Sequence, residues 1–276
     1  MINAIIAKNV ADALMEDIYG LSDWTSNLID TNLIITASLL TREDMILCGC
    51  PWANLAFKLC DENIKVNWNV KEGTFVAKNT ELCKIEGRAC GVLKAERTAI
   101  NFIQTLSATA TLVASYVEVI KDTNIKLMDT RKTIPGLRFA QKYAVTIGGG
   151  CNQRFGLYDG VLIKENHIKA SNGIKEVLKK AYTITPANIP IQIEVETFEQ
   201  LKEALDANAK LILLDNMSIP LIKKCVKHTN KKAQLEVSGN IDINNVRKYA
   251  LTGVDRISIG ALTKNIKAID ISMRIQ

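Results

Sequence analysis

The sequence has few of the features that mark the commonest enzyme and membrane classes. Only two of its 276 residues are histidines, and none of its seven cysteines forms a Cys-x-x-Cys pair. We therefore expect neither a nucleophilic triad nor a structural zinc site. The sequence contains no Gly-x-Gly-x-x-Gly turn and no Walker A motif, which argues against dinucleotide-binding and P-loop proteins. The longest mostly apolar run, 105–120, is interrupted by polar residues and predicts no membrane span.

The N-terminus also lacks the layout of a secretory signal, because its short apolar run is interrupted by Lys8 and Asp12. Unpaired cysteines with mostly apolar neighbours suit a reducing compartment. We therefore expect a cytoplasmic protein without a membrane anchor. The formal net charge of +6 suits anionic small molecules as readily as nucleic acid and does not decide between them.

The two parts of the chain differ in their predicted elements. Residues 1–104 mix predicted helices with short strands, and a long helix is predicted from about 92 to 121. Thereafter strands alternate with amphipathic helices, which indicates a parallel sheet. The predicted strands are 126–128, 160–163, 191–195, 211–214, 234–237 and 256–259. The predicted helices between them are 174–183, 198–208, 219–228 and 243–252.

A polar residue or a glycine stands at the carboxyl end of each of these six strands. The residues in question are Asp129, Lys164, Glu194, Asp215, Ser238 and Gly260. A (β/α) barrel builds its active site at this edge from several strands, whereas a doubly wound sheet concentrates function at one switch point. The pattern therefore favours a barrel.

Basic residues gather around the same edge. Arg131 and Lys132 directly follow one strand, while Arg154 lies in a loop after three glycines and Lys164 ends the next strand. Arginine forks match carboxylate and phosphate oxygens, and lysine adds a point charge. Such a group predicts an anionic ligand: a phosphorylated sugar, a di- or tricarboxylate, or both.

Acidic and small residues complete the predicted site. Glu194 and Asp215 end neighbouring strands, where they could pair with lysines or, beside a pyrophosphate, bind Mg²⁺. Small residues follow the last two strands, where barrels often bind phosphate. The predicted phosphate-binding residues are Ser238, Gly239, Ser258 and Gly260.

The segment "DTRKTIPGLRFAQKYAVTIGGGCNQRFGLYDGVLIKENHI" (129–168) resembles the quinolinate phosphoribosyltransferase family. The resemblance extends to "ERTAINFIQTLSATAT" (96–111), "IEVET" (193–197), "LLDNM" (213–217), "EVSGN" (236–240) and "ISIGALTK" (257–264), and so covers nearly the whole chain. It implies an open (β/α) barrel, 109–265, preceded by an α/β sandwich domain, 1–108, which the tail 266–276 joins.

The resemblance also implies an activity and a set of roles. The enzyme would transfer phosphoribose from phosphoribosyl pyrophosphate to quinolinate with decarboxylation, in NAD biosynthesis. Arg131, Arg154 and Lys164 would bind the quinolinate carboxylates and phosphoribosyl pyrophosphate, assisted by Lys132. Glu194 and Asp215 would hold the magnesium-pyrophosphate and ribose end. The family's homodimer implies that Arg97 acts across the subunit interface.

One position departs from the family pattern, which reads Asn-His-Arg where this chain has Asn152-Gln153-Arg154. The resemblance implies that the family's histidine contacts a substrate carboxylate, so Gln153 would bind the base in its place. Glutamine is uncharged but both donates and accepts hydrogen bonds, so it suits a carboxamide as well as a carboxylate. An alternative is therefore a phosphoribosyltransferase acting on nicotinamide or nicotinate. A second alternative is a non-catalytic anion-binding accessory protein, although both acidic residues remain. Nucleic acid is not expected as a partner, because the basic residues lie at strand ends and not on one continuous face.

Overall fold

The computed structural model describes residues 2–21 and 23–276, and their contacts form two compact units. The first, here the sandwich unit, comprises residues 1–114, 134–149 and 265–276, and the second, the barrel unit, comprises 115–133 and 150–264. The sequence-based boundaries assigned 134–149 to the barrel. Its contacts group it with the sandwich unit because Ala140 and Ala144 are buried in that unit's apolar core.

The sandwich unit combines an antiparallel sheet with helices, numbered here along the whole chain. Its helices are α1 (Ile2–Ile18), α2 (Cys50–Cys60), α3 (Ala89–Ile120, of which 89–114 belong to this unit) and α4 (Arg138–Ile147). Its strands are β1 (Ile34–Thr41), β2 (Met45–Ile46), β3 (Lys65–Trp68), β4 (Phe75–Val76), β5 (Glu81–Arg88) and β12 (Ile271–Ile275). The larger sheet has the order β12-β1-β5-β3, and β2 pairs with β4.

Local sequence explains why these elements form where they do. Alternate residues of β5, such as Cys83 and Ile85, are buried, as expected for a strand with one face on a core. Helix α2 begins with a proline in its first turn, and the Glu72 carboxylate accepts the backbone N–H groups of Gly49 and Cys50 at 2.6 and 3.1 Å. The carboxylate thus satisfies two N–H groups that a helix start leaves without partners.

Helix α3 is the one helix in the described residues that is long and apolar enough to cross a membrane. Half of its most apolar 18-residue stretch is buried within the protein. Core helices have the same length and composition, so this helix is weak evidence for a membrane span.

The barrel unit contains the strand–helix repeats. Its strands are β6 (Lys126–Met128), β7 (Val161–Ile163), β8 (Ile191–Val195), β9 (Leu211–Asp215), β10 (Gln234–Ser238) and β11 (Arg256–Ser258). Its helices are α5 (Glu165–Ala170), α6 (Ile174–Ile184), α7 (Phe198–Asp206), α8 (Ile219–Thr229), α9 (Val246–Ala250) and α10 (Ala261–Lys264). The six strands are confirmed to within one residue at each end.

The predicted helix 243–252 is too long at both ends, since α9 runs only over Val246–Ala250. The Asp242 carboxylate accepts the N–H groups of Asn244 and Asn245 at 2.8 and 3.1 Å, and this local turn delays α9 until Val246.

The six parallel strands form an open barrel, as expected. Their order is β6-β11-β10-β9-β8-β7, so β6 and β7 are the two edge strands. The outer edge of β6 pairs with a single residue, Cys151, whose N–H donates to Leu127 at 2.7 Å and whose carbonyl accepts from Asp129 at 3.1 Å. The carboxyl ends of all six strands therefore lie at one edge, as predicted for the site.

Candidate active site

Asp129, at the end of β6, supports the loop that carries the basic residues. Its carboxylate is fully buried and accepts the backbone N–H of Gln153 at 2.8 Å. Together with the Cys151 pairing, this bond fixes the start of the 151–154 loop against β6.

Lys132 is held next to the end of β11. Its backbone N–H donates to the Thr130 hydroxyl at 3.1 Å, and its carbonyl accepts the Thr263 hydroxyl at 2.7 Å. Its Cδ lies 3.0 Å from the point where a side chain on Gly260 would begin. Glycine at position 260 therefore leaves room for Lys132, and two of the predicted site residues come together here.

Arg154 lies in a loop with a second guanidinium close by. Burial lowers the pKa of Arg154, the positive charge of Arg131 lowers it further, and Asp159 opposes both effects. One Nη1–H group donates to the carbonyl of Gly160 at 2.9 Å. Two partly buried guanidinium groups that repel one another form a site that an anion of more than one charge would stabilise.

The side chain of Gln153 is directed at buried partners. Its Nε2 lies 2.9 Å from Oε1 of Gln192 and 3.0 and 2.8 Å from the two carboxylate oxygens of Glu236, and its Oε1 accepts the N–H of Arg154 at 3.1 Å. A carboxamide has two N–H groups, and these partners use both. For Gln153 to donate to the base, its hydrogen bonds to Gln192 and Glu236 would have to break. The contact with the base stays a prediction.

Lys164 and Glu194 meet across neighbouring strands, with Nζ and Oε2 3.5 Å apart. Burial raises the pKa of Glu194; Lys164 lowers it, and the negative charge of Asp215 raises it again. Asn216 donates its Nδ2–H to Asp215 at 3.0 Å. Two carboxylates that repel one another at the end of a sheet suit a divalent cation, and Mg²⁺ takes one or two carboxylates alongside substrate phosphates. The described residues contain no group of three or more acidic, histidine or cysteine ligands.

Of the predicted phosphate-binding residues, Gly239 lies in a tight turn, whereas Ser238 and Ser258 hydrogen-bond to one another. Gly239 has a φ of +102° and approaches Asn216 so closely that a Cβ would lie 2.2 Å from the asparagine Oδ1, so only glycine fits. The Ser238 hydroxyl donates to the carbonyl of Ser258 at 3.2 Å. Ser258 is only 3% exposed, so its side chain lies inside the barrel unit and not on the rim.

The structure also gives the positions of three further residues from the family-like segments. Gly148 ends α4, and a Cβ there would lie 2.4 Å from the carbonyl of Ala110 on α3, so this glycine permits close helix packing. His167 accepts the N–H of Lys164 with its Nδ1 at 3.0 Å and orders the start of α5. Arg97 is exposed on α3 in the sandwich unit.

Sequence reasoning missed the buried polar residues beneath the site, Gln192 and Glu236. They are 6% and 1% exposed, and Gln192 donates to Glu236 at 3.0 Å. Each precedes a predicted site residue, Glu194 or Ser238, by two positions in its strand. Because side chains two apart in a strand share a face, a polar residue at that spacing was the available signal.

Models of one protein family match almost the whole chain. The model described as "Quinolinate phosphoribosyl transferase, N-terminal domain" matches residues 23–107, and the corresponding C-terminal domain model matches residues 109–274.

Individual proteins agree with the family match. A Bacillus subtilis protein named "Probable nicotinate-nucleotide pyrophosphorylase [carboxylating]" is 40% identical over 261 residues, covering 95% of this chain and 90% of its own. The "Quinolinate phosphoribosyltransferase [decarboxylating] 2b, mitochondrial" of Nicotiana tabacum is 38% identical over 95% of this chain and 80% of its own. The solved structure of the nicotinate-nucleotide pyrophosphorylase from Francisella tularensis superposes with a TM-score of 0.95 at 44% identity, covering 99% and 97% of the two chains.

Proposed function

Because the chain belongs to the quinolinate phosphoribosyltransferase family, we infer that it transfers phosphoribose from phosphoribosyl pyrophosphate to quinolinate. The products are nicotinate mononucleotide, CO₂ and pyrophosphate, and the reaction belongs to NAD biosynthesis. Within the structure, the inference is supported by Arg131 and Arg154, which lie close enough for the charge of Arg131 to lower the pKa of Arg154, and by the Lys164–Glu194 pair at the carboxyl end of the strands. Quinolinate is a dicarboxylate and so supplies two negative charges to the two arginines.

The reaction needs no nucleophile from the protein. The pyridine nitrogen attacks C1 of the ribose while pyrophosphate leaves, through a transition state with oxocarbenium character. The ring carboxylate beside the quaternised nitrogen then leaves as CO₂, because the positive nitrogen stabilises the carbanion, and a proton from water takes its place on the ring carbon. The protein's part is to position the two substrates, with the two arginines on the quinolinate carboxylates, and to balance the charge that develops on pyrophosphate, which is the role of Lys164.

We further propose that Glu194 and Asp215 hold Mg²⁺ together with the pyrophosphate oxygens. The mutual repulsion of these carboxylates, opposed by Lys164, supports the assignment. When bound, the ion would offset negative charge on the leaving pyrophosphate. Lys132, packed on Gly260, and the turn at Ser238 and Gly239 are proposed to bind phosphate oxygens.

We propose a cytoplasmic homodimer in which Arg97 reaches the site of the partner subunit. Exposure of Arg97 in the single chain supports this role, because an arginine that completes another subunit's site must be accessible before assembly.

Nicotinamide or nicotinate as the base receives less support from the structure than from the sequence. Gln153 was the reason to consider them, yet its carboxamide bonds to Gln192 and Glu236. If Gln153 does not face the base, Arg131 and Arg154 are the residues that distinguish the three bases. Two positive charges favour quinolinate, which carries two carboxylates.

The experiment is a product analysis with three candidate bases. The pure protein is incubated with phosphoribosyl pyrophosphate, Mg²⁺ and quinolinate, nicotinate or nicotinamide in separate reactions, and the mononucleotide is identified by mass. We expect nicotinate mononucleotide from quinolinate. Turnover of nicotinamide above that of quinolinate would refute the inference.

A further inference from the structure

A polar cluster in the barrel unit joins the half-buried Gln153 to two buried residues, Gln192 and Glu236. A buried carboxylate is costly unless hydrogen bonds compensate it, and Glu236 is 1% exposed. The two carboxamides supply these bonds: Nε2 of Gln153 contacts both carboxylate oxygens, and Nε2 of Gln192 contacts one of them at 3.0 Å. The cluster therefore joins three separate segments of the barrel unit: the 151–154 loop, β8 and β10.

The same cluster fixes the position of the Arg154 backbone. Its backbone N–H donates to Oε1 of Gln153, and the backbone N–H of Gln153 donates to the buried Asp129. Beyond Arg154 the loop closes on Asp159, whose carboxylate accepts the N–H groups of Phe155 and Gly156 at 2.7 and 2.8 Å. Arg154 thus lies between two fixed points, and the Gln153 side chain makes one of them.

We propose that Gln153 is a positioning residue that holds Arg154 against the anionic substrate through Glu236 and Gln192, and that it does not itself contact the base. This inference rests on the function given above. It differs from the expectation drawn from the sequence, in which Gln153 donates to a substrate carboxylate. A glutamine that bonds within the barrel does not choose between a carboxylate and a carboxamide on the base.

The test exchanges the amide and the acid. Gln153→Glu places a second carboxylate beside Glu236, so the loop should be displaced and kcat/KM for quinolinate should fall about 100-fold, the loss that a shift of about 1 Å can cause. The double variant Gln153→Glu with Glu236→Gln restores one acid and one amide of the same size, and Gln192 can rotate its carboxamide to match. We expect the double variant to recover to within about tenfold of the wild type.

A second variant removes a cluster member that is buried away from solvent. Gln192 is only 6% exposed. Gln192→Leu should nevertheless raise the KM for quinolinate about 10- to 100-fold, because loss of its hydrogen bonds displaces Arg154. The matched control is Gln234→Leu, at the start of β10, whose carboxamide accepts from Arg256 at the opposite end of the strand. We expect wild-type kinetics from the control, and urea unfolding confirms that each variant is folded.

Two outcomes would overturn the proposal. One is a folded double variant no more active than Gln153→Glu, since Glu236→Gln cannot replace a hydrogen bond that the Gln153 amide donates to the base. The other is a Gln192→Leu variant with wild-type kinetics. Failure of the inferred function is distinguishable from both, because it would appear as a wild type that does not turn over quinolinate.

Discussion

Replacement of Lys164 by alanine tests the electrostatic account of the site most sharply among single substitutions. Its ammonium group lies 3.5 Å from Glu194, and the side chain is about half exposed at 51%. A full charge about 4 Å from the leaving pyrophosphate contributes roughly 4 kcal/mol at an effective dielectric of about 20. Solvent screening around the half-exposed side chain could reduce this interaction energy to about 2 kcal/mol, so the range is about 2 to 4 kcal/mol. We therefore expect kcat/KM to fall by about 30- to 1000-fold.

The assay is steady-state pyrophosphate release with quinolinate, and two further variants interpret it. Lys164→Arg keeps the charge in a different shape and should recover part of the activity. Lys169→Ala, on the adjacent α5, removes an exposed lysine that pairs with Glu165, and it should behave as wild type. The unfolding free energy of Lys164→Ala should change by less than about 1 kcal/mol, since Lys164 is half exposed and its ion pair with Glu194 is a 3.5 Å contact. A Lys164→Ala protein that keeps more than half of the wild-type kcat/KM would remove this residue from the site.

Three other predictions concern assembly, metal and thiols. Mixing Arg97→Ala with Lys164→Ala subunits should restore about one quarter of the wild-type sites after random exchange in a dimer, and no recovery after verified exchange would mean that each site comes from one chain. Asp215→Asn should raise the Mg²⁺ concentration for half-maximal rate about tenfold, and an unchanged requirement would exclude it as a ligand. Burial raises the pKa of the Cys83 thiol to about 12, so a thiol reagent at pH 8 should label it only after unfolding, as mass spectrometry can show.

The sequence predicted most of the barrel and less of the site's interior. Six strands stood out because each apolar run is short and followed by a polar residue or glycine, and this pattern depends only on local residues. The length of α9 was missed because the Asp242 turn competes with the helix, and propensity alone does not resolve such competition. The assignment of 134–149 to a unit depends on the apolar core in which Ala140 and Ala144 are buried. That packing involves residues distant in sequence, so local sequence does not predict it.

The direction of the Gln153 side chain could not be predicted from the sequence. Its position in the motif was read correctly as part of the loop, but the direction of its side chain depends on Gln192 and Glu236, which are 39 and 83 residues away. Nothing in the local sequence tells a carboxamide that faces the base from one that faces the barrel interior. Arg131, by contrast, could be predicted as a site residue from sequence because it follows a predicted strand, and Arg154 because it lies in a loop after three glycines.

We propose that Arg131 and Arg154 together make quinolinate the substrate. The most direct test uses quinolinate labelled in the carboxylate next to the ring nitrogen, with nicotinamide in a parallel reaction. Labelled CO₂ released in equal amount to pyrophosphate, together with a kcat/KM for quinolinate well above that for nicotinamide, is the result we predict. Pyrophosphate release without labelled CO₂, or a higher kcat/KM for nicotinamide, would contradict it.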